Sequence, residues 1–429
     1  MKLGHRRSAD APRLSLLAVT LLATGLHGEP RHANDAPASA APARRGDGSV
    51  PNAASATQGG SAAPTPQRVA LGATGWRDSE LGGIRGVTVG PIESALHPNV
   101  GYGSEACGRT FAEIKRMGGS WVSLTPFGRT YDLKPSGVSL TFEAPFEENR
   151  AAVARAVQQA HAAGLRVFLV PHLWVESGEW RALIDPGGDA EWRRWAKSYE
   201  RFVLSWAQLA SEHDVEMLSV GVELRSWVTT DRAPSFSALI ERVRQIYPGL
   251  LTYAANWDDV DKTVILGQLD VIGINAFYPL AESEGADFAT LVRGGQGIAK
   301  RVRDLAQSWG KPVMFTEFGY TTRKDPAIKP WEWPDHMQNV VVDQRAQAEA
   351  YAALLAPLMS EQAFAGFFVW RMYSDPNDVS QEQEWGFSPR GKLAELVLRD
   401  AFNAHWAADG RRPPGDALAI PRTTGVGIY

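Results

Sequence analysis

The sequence predicts an α/β fold, a single (β/α)8 TIM barrel in which eight parallel strands alternate with helices. Between Gly82 and Trp406, short apolar runs alternate with amphipathic helical patterns. The runs are almost continuously apolar, as parallel strands covered on both faces should be. The alternative, an open doubly wound sheet, usually carries a glycine-rich phosphate loop after its first strand. Gly90-Pro91-Ile92 follows that strand instead, which favours the closed barrel.

Each predicted element follows from its local pattern. The strands are short β-branched or aromatic runs bounded by polar loops, and they are Arg85–Val89, Trp121–Thr125, Val167–Pro171, Leu218–Val222, Leu251–Ala255, Val271–Ala276, Val313–Glu317 and Gly366–Trp370. The helices have apolar residues at helical spacing, and they are Ser104–Met117, Glu147–Ala163, Ala190–His213, Ser235–Ile246, Asp287–Ser308, Asp343–Leu358 and Lys392–Asn403, with a short one near Val260–Gly267. Gly164 and Gly310 stand just past helix ends, where glycine caps are common.

The two ends of the chain differ in composition from the barrel. Residues 1–28 combine a basic start with the apolar run Leu14–Leu26, which predicts a signal peptide and a secreted or periplasmic protein. Residues 29–79 are rich in Ala, Pro, Ser and Gly and predict a disordered linker that tethers the domain. The catalytic domain is predicted over residues 80–408, with a loop-like C-terminal tail over residues 409–429.

Composition narrows the function further. The formal net charge of −4 and the lack of a basic cluster argue against a nucleic-acid partner, and the apolar run of the signal is too short for stable membrane insertion. The single cysteine, Cys107, allows no disulfide within the chain and no thiolate metal site. We predict neither a metal nor a cofactor. The 15 tryptophans are compatible with sugar stacking, although most tryptophans in large proteins are core residues.

Two carboxylates stand where a barrel performs chemistry, at the carboxyl ends of strands. Glu223 follows the fourth predicted strand and Glu317 ends the seventh. These strands lie across the barrel mouth from each other, so the two side chains could flank one sugar, as a retaining glycosidase requires. The alternative for either residue is a structural salt bridge to Arg225 or Arg371.

At these residues the chain resembles clan A glycoside hydrolases and, more closely, glycoside hydrolase family 113, whose known members act mainly on β-1,4-mannan. The segments that carry the resemblance are GVTVGP at Gly86, VPHLW at Val170, SVGVEL at Ser219, VIGINAFYPL at Val271, PVMFTEFGY at Pro312, FFVWRMY at Phe367 and WGFSPRGKLAE at Trp385. They span about residues 80–406. The resemblance implies a retaining hydrolase of β-linked polysaccharide or oligosaccharide.

The resemblance also implies roles for single residues. Glu223 matches the acid/base and Glu317 the nucleophile. Tyr278 matches a tyrosine that hydrogen-bonds the nucleophile, and Trp370 a tryptophan under the sugar at the cleavage position, with plain packing of the barrel top as its alternative. Many clan members have asparagine before the acid/base, where it holds the sugar 2-hydroxyl, but Val222 stands here.

Other candidate substrate-binding residues follow strand ends. Either Asn256 or His172 replaces the missing asparagine or the sugar preference differs, and Trp257 would contribute to a sugar subsite. For His172 the alternative is a satisfied structural histidine, and for Trp257 it is peripheral packing. The long loop Thr321–Val342, with Trp331, Trp333 and His336, either walls the cleft or is pinned to the surface by its tryptophans.

Three alternative functions make different demands on the site residues. A gluco- or xylo-specific β-glycosidase would use the same two carboxylates. A non-catalytic carbohydrate-binding barrel would keep the aromatic residues and lose one carboxylate, but both are present. A metal-dependent hydrolase could draw on His172, Glu223, Asp258 and Glu317, yet the sequence has no H-x-H or H-E-x-x-H pattern.

Overall fold

The computed structural model describes residues 83–90, 99–141, 144–332, 339–375, 377 and 384–403. These residues all belong to one compact unit. The predicted signal peptide, linker and tail lie outside the described residues. No described helix is both long enough and apolar enough to cross a bilayer.

Eight parallel strands form a closed barrel, which confirms the predicted fold class. They are β1 (Ile84–Gly90), β2 (Trp121–Leu124), β4 (Arg166–Leu169), β6 (Met217–Val222), β7 (Leu250–Asn256), β8 (Ile272–Asn275), β9 (Val313–Phe318) and β10 (Phe364–Tyr373). Each overlaps one predicted strand. Around the ring, each barrel strand pairs with the next along the chain, and β10 closes on β1.

A small second sheet lies beyond the barrel and was not predicted. Strands β3 (Phe127–Thr130) and β5 (His172–Val175) pair in parallel and follow β2 and β4 after short breaks. In both breaks a proline interrupts the barrel strand, Pro126 in one and Pro171 in the other. Because proline cannot donate to a strand ladder, the pairing stops and restarts there. The restart places His172 at the barrel mouth.

The helices confirm the predicted positions to within two residues at each end. They are α1 (Glu105–Arg116), α2 (Phe146–Ala162), α3 (Asp189–Glu212), α4 (Arg225–Val228), α5 (Ala233–Ile246), α6 (Phe288–Trp309), α7 (Gln344–Leu358) and α8 (Leu393–Asn403). The short α4 had no predicted counterpart. The predicted short helix near Val260–Gly267 is two 3₁₀ turns, Val260–Lys262 and Leu266–Gln268.

Several helix ends are defined by their capping residues. The Ser104, Asp287 and Asp343 side chains each accept a hydrogen bond from a backbone N–H in the first turn of α1, α6 and α7. Gly310 ends α6 with φ +63°, the left-handed conformation that glycine adopts at least cost. These local signals explain why the helix bounds were readable from the sequence.

The core has two layers, one inside the barrel and one between the barrel and its helices. The inner layer holds large side chains from alternate strand positions, including Trp121, Phe168, Met217, Met314 and Phe368. The outer layer packs the opposite strand faces against the helices. The filled interior closes the barrel, so the open space lies at its carboxyl end.

Candidate active site

A cavity of about 650 Å³ opens among the carboxyl ends of the barrel strands and the loops that follow them. Its wall combines three carboxylates with aromatic and polar side chains: His172, Trp180, Arg181, Glu223, Asn256, Trp257, Asp258, Phe277, Glu317, Trp331, Trp370 and Phe387. Both predicted carboxylates therefore face one cavity, whose size suits a small ligand or a short stretch of polymer.

The backbone at Glu223 is held in an unusual conformation. Its φ of +51° lies in the left-handed region, which costs a non-glycine residue about 1–3 kcal/mol. The Glu223 N–H donates to the Ala254 carbonyl at 2.9 Å, and the next N–H, of Leu224, donates to the Tyr253 hydroxyl at 2.6 Å. These bonds fix the turn at the end of β6 and aim the Glu223 side chain into the cavity.

Three side chains donate to the Glu223 carboxylate. The Trp180 indole Nε1 lies 2.8 Å from Oε2, and Arg181 Nη1 lies 3.5 Å from the same oxygen. The Asn275 amide Nδ2 lies 3.1 Å from Oε1. Each oxygen of this largely buried carboxylate therefore has a partner.

Glu317 ends β9 at an irregularity in the strand pairing. Ile274 pairs with Phe315 but Asn275 pairs with Glu317, so Thr316 is an extra residue on the β9 side. Such bulges re-aim side chains. Here the bulge brings Glu317 opposite Asn275, and the buried His172 ring places Nε2 3.1 Å from Glu317 Oε1, although that contact lacks hydrogen-bond geometry.

Asn275 lies next to both carboxylates. Its amide oxygen accepts a hydrogen bond from Thr316 Oγ1 at 2.8 Å, which leaves the amide nitrogen to donate to Glu223 Oε1. In the strand pairing, Asn275 is the partner of Glu317. The structure thus places Glu223 and Glu317 around Asn275, in the wall of the same cavity.

Burial controls the protonation of this cluster. Desolvation raises the pKa of Glu317 to about 8, and the nearby negative charge of Glu223 acts in the same direction. Arg181, Arg371 and the neighbouring Asn275 amide oppose that rise without cancelling it. The pKa of His172 is well below its usual value because its ring is buried and faces Arg181 and Arg371. His172 is therefore a neutral imidazole at neutral pH.

Arg225 and Arg371 were the alternative salt-bridge partners predicted for the two carboxylates, and both make other contacts. Arg225 pairs with Asp258 and with Asp259, so it does not neutralise Glu223. The Arg371 guanidinium lies over the Trp370 and Tyr373 rings, 5.0 Å and 4.7 Å from their centroids. The carboxylates therefore face the cavity instead of serving as partners for these two arginines.

Aromatic side chains line the rest of the cavity. Trp370 is 8% exposed, at the end of β10, and its peptide bond to Arg371 is cis. Trp257 and Trp331 stack with centroids 5.5 Å apart and planes 26° from parallel. Trp331 is 47% exposed and belongs to the loop Thr321–Val342, so this loop contributes to the cavity wall. Trp333 and His336 of the same loop lie outside the described residues.

Tyr278 is placed differently from the prediction. Its ring packs on Trp257 and Phe315, beneath the Arg301 guanidinium, and it does not line the cavity. Among the described residues it makes no hydrogen bond to Glu317, so that prediction is corrected. The reason is the two-residue period of an extended chain. Phe277 lines the cavity and Asn275 donates to Glu223, whereas Ala276 and Tyr278 belong to the outer core layer.

The other predicted site residues line the cavity, and their roles stay predictions. His172, Asn256, Trp257 and Trp370 all do so, with Asn256 Nδ2 donating to Asp258 Oδ1 at 2.6 Å. Four further wall residues were not predicted, and they are Trp180, Arg181, Phe277 and Phe387. Asn275, which donates to Glu223, was not predicted either. Period-two alternation at the end of β8 could have found Asn275 and Phe277, but no pattern marks the loop residue Trp180.

A family profile, Glycoside Hydrolase Family 113, matches residues 96–392, well over half of the chain. The chain belongs to Glycoside Hydrolase Family 113. It is therefore a glycoside hydrolase, and the predicted resemblance is confirmed. In the described part of the chain, no three His, Cys, Asp or Glu side chains gather as metal ligands would.

Solved structures agree with this family membership. The GH113 β-mannanase AaManA from Alicyclobacillus acidocaldarius, in complex with ManMIm, is 25% identical with a TM-score of 0.64, over 75% of this chain and 97% of that one. Another GH113 β-1,4-mannanase, 21% identical with a TM-score of 0.64 over 75% and 99%, shares the fold. A family 5 mannosidase from Rhizomucor miehei, 12% identical with a TM-score of 0.52 over 75% and 92%, also shares it. No curated protein matches the chain.

Proposed function

We propose that this family 113 enzyme is a retaining hydrolase of β-1,4-mannan that works by double displacement, with Glu317 as nucleophile and Glu223 as acid/base. The observation that carries the proposal is that both carboxylates line one cavity at the barrel mouth, where the Glu223 charge contributes to the raised pKa of Glu317. A retaining mechanism needs such a pair about 5–5.5 Å apart, whereas an inverting one needs a wider gap.

In the first step the ionised Glu317 oxygen forms a bond to the anomeric carbon, and the glycosidic carbon–oxygen bond breaks. The proton of Glu223 passes to the departing oxygen, and a glycosyl-enzyme remains. In the second step Glu223 takes a proton from water, whose oxygen attacks the same carbon. The bond to Glu317 breaks, and Glu223 ends protonated again.

The productive state holds one proton on the pair, located on Glu223. In the empty site, burial and the Glu223 charge favour that proton on Glu317 instead. We infer that sugar binding accompanies a shift of the proton from Glu317 to Glu223. Both arrangements carry one proton on the pair. The pH dependence of the rate therefore reports the loss of that proton and not which carboxylate holds it.

The pH profile of kcat/KM should therefore fall at high pH. Because the pair must keep one proton, and the pKa of Glu317 is about 8, the rate should drop about tenfold per pH unit above that value. The measurement is initial rates on an oligosaccharide across pH. In Glu223→Gln with an activated aryl glycoside only ionised Glu317 is needed, so the rate should instead rise with pH to a plateau. An alkaline fall in that variant would contradict the assignment.

The neutral His172 is suited to the sugar 2-hydroxyl. The ring is buried in the cavity wall, and among the described residues neither of its nitrogens makes a hydrogen bond. Buried polar atoms usually have partners. A sugar hydroxyl next to Glu317 would supply such a partner. It would approach from the cavity, because Phe127 covers the opposite face of the His172 ring at 5.4 Å between centroids. This contact would compensate for Val222, which stands where many clan A enzymes have asparagine.

The mannan assignment relies on the family 113 β-mannanases in the comparisons, and a gluco- or xylo-specific enzyme is the alternative. The test is hydrolysis of β-1,4-linked manno-, gluco- and xylo-oligosaccharides of equal length. We expect kcat/KM to be highest on the manno-series. Preference for another series would overturn the substrate assignment and leave the two-carboxylate mechanism standing.

A further inference from the structure

Trp180 contacts the proposed acid/base from a distant part of the chain. Its indole N–H donates to Glu223 Oε2 at 2.8 Å, from a loop that follows β5. The other Glu223 oxygen accepts from Asn275 at 3.1 Å. Two donors on opposite oxygens determine the plane in which the carboxyl lies. The indole nitrogen only donates, so it can hold Glu223 without ever competing for its proton.

The indole is itself held by Arg225. The guanidinium carbon lies 4.6 Å from the centroid of the Trp180 ring, a cation–π contact. Arg225 Nε donates to Asp259 Oδ2 at 2.6 Å, and its terminal nitrogen pairs with Asp258. Asp259 is only 4% exposed, so it anchors the Arg225 side chain within the fold.

The loop that carries Trp180 is also tied to its surroundings. Arg181 Nε donates to the Leu173 carbonyl at 3.1 Å, and Ser226 donates to the Ile184 carbonyl. Arg181 and Ser226 thus hold the two ends of the short 3₁₀ turn Arg181–Leu183 against β5 and α4. Arg225 and Ser226 lie two and three residues beyond Glu223, so the acid/base and its donor are anchored to the same segment.

We propose that Trp180 is a positioning residue for Glu223. Its N–H, oriented by Arg225, keeps the Glu223 carboxyl in the plane from which the proton reaches the glycosidic oxygen. The inference rests on the proposed role of Glu223. A hydrogen bond that positions an acid matters only for leaving groups that need protonation, which separates this role from sugar binding or general stability.

The test compares Trp180→Phe with wild type on a series of aryl β-mannosides whose leaving groups range from phenol to 2,4-dinitrophenol. Phenylalanine keeps an aromatic face for Arg225 and for sugar but lacks the N–H. We expect kcat/KM to fall about 10- to 100-fold for phenol, part of the full effect of general acid catalysis. For 2,4-dinitrophenol, which departs without a proton, it should stay within about twofold.

Two variants serve as controls on the same series. Trp174→Phe alters a 46% exposed tryptophan of β5 outside the cavity and should change neither rate. Arg225→Met removes the cation over Trp180 and should reproduce the leaving-group dependence of Trp180→Phe with smaller amplitude.

The outcomes are distinguishable. Equal losses on both leaving groups, or no loss in Trp180→Phe, would overturn the positioning role. Glu223→Ala must itself show a steep dependence on the leaving group. If it does not, the proposed acid/base role of Glu223 is wrong, whatever the result for Trp180→Phe.

Discussion

Alanine in place of Glu317 is expected to lower kcat by about 10⁴-fold or more, because the covalent intermediate cannot form without its nucleophile. The loss should be the same for good and poor leaving groups, since attack on the anomeric carbon is needed for both. Added azide should restore turnover by attacking from the vacated side and should give the α-glycosyl azide. The measurements are initial rates with and without azide and the anomeric configuration of the product.

The Glu317 result needs a control for folding. Removal of a buried carboxyl whose pKa is raised to about 8 should not destabilise the fold, so the Tm of Glu317→Ala should match or exceed that of wild type. Glu113→Ala offers the matched opposite case. It breaks the Glu113–Arg390 ion pair, which includes a contact of 2.9 Å and whose two residues do not line the cavity. It should lower Tm and leave kcat near wild type.

Alanine in place of Glu223 is expected to lower kcat/KM on oligosaccharides by about 10²–10⁴-fold, the usual contribution of a general acid. For 2,4-dinitrophenyl glycosides kcat/KM should stay close to wild type, whereas kcat should fall because the second step lacks its base. Azide needs no base, so it should raise kcat and give the β-glycosyl azide. Uniform loss on every substrate, or the α-azide, would contradict the acid/base role.

Most of the fold could be read from the sequence because its signals are local. The barrel strands are continuous apolar runs, and helix ends carry their own caps, as Ser104 and Gly310 show. The positions of Glu223 and Glu317 followed from the rule that barrel chemistry lies at the carboxyl ends of strands. That rule needs the order of the strands but no side-chain detail.

The parts of the site that were missed depend on geometry that one sequence does not encode locally. Whether Phe277 or Tyr278 faces the cavity depends on whether the two-residue alternation of β8 continues past the end of the strand. A shift of one residue would exchange the directions of the two side chains. The bulge at Thr316 is likewise a property of the pairing between β8 and β9. Trp180 reaches Glu223 through a loop, and its contact is visible only when the chain is folded.

The central claim is that Glu317 forms a covalent bond to the sugar while Glu223 transfers protons. The most direct measurement is to trap the intermediate with an activated 2-deoxy-2-fluoro-β-mannoside, digest the protein and locate the label by mass spectrometry. The expected result is one sugar per chain, attached to the peptide that contains Glu317. A label on Glu223, or no label combined with an inverted first product, would contradict the double-displacement account.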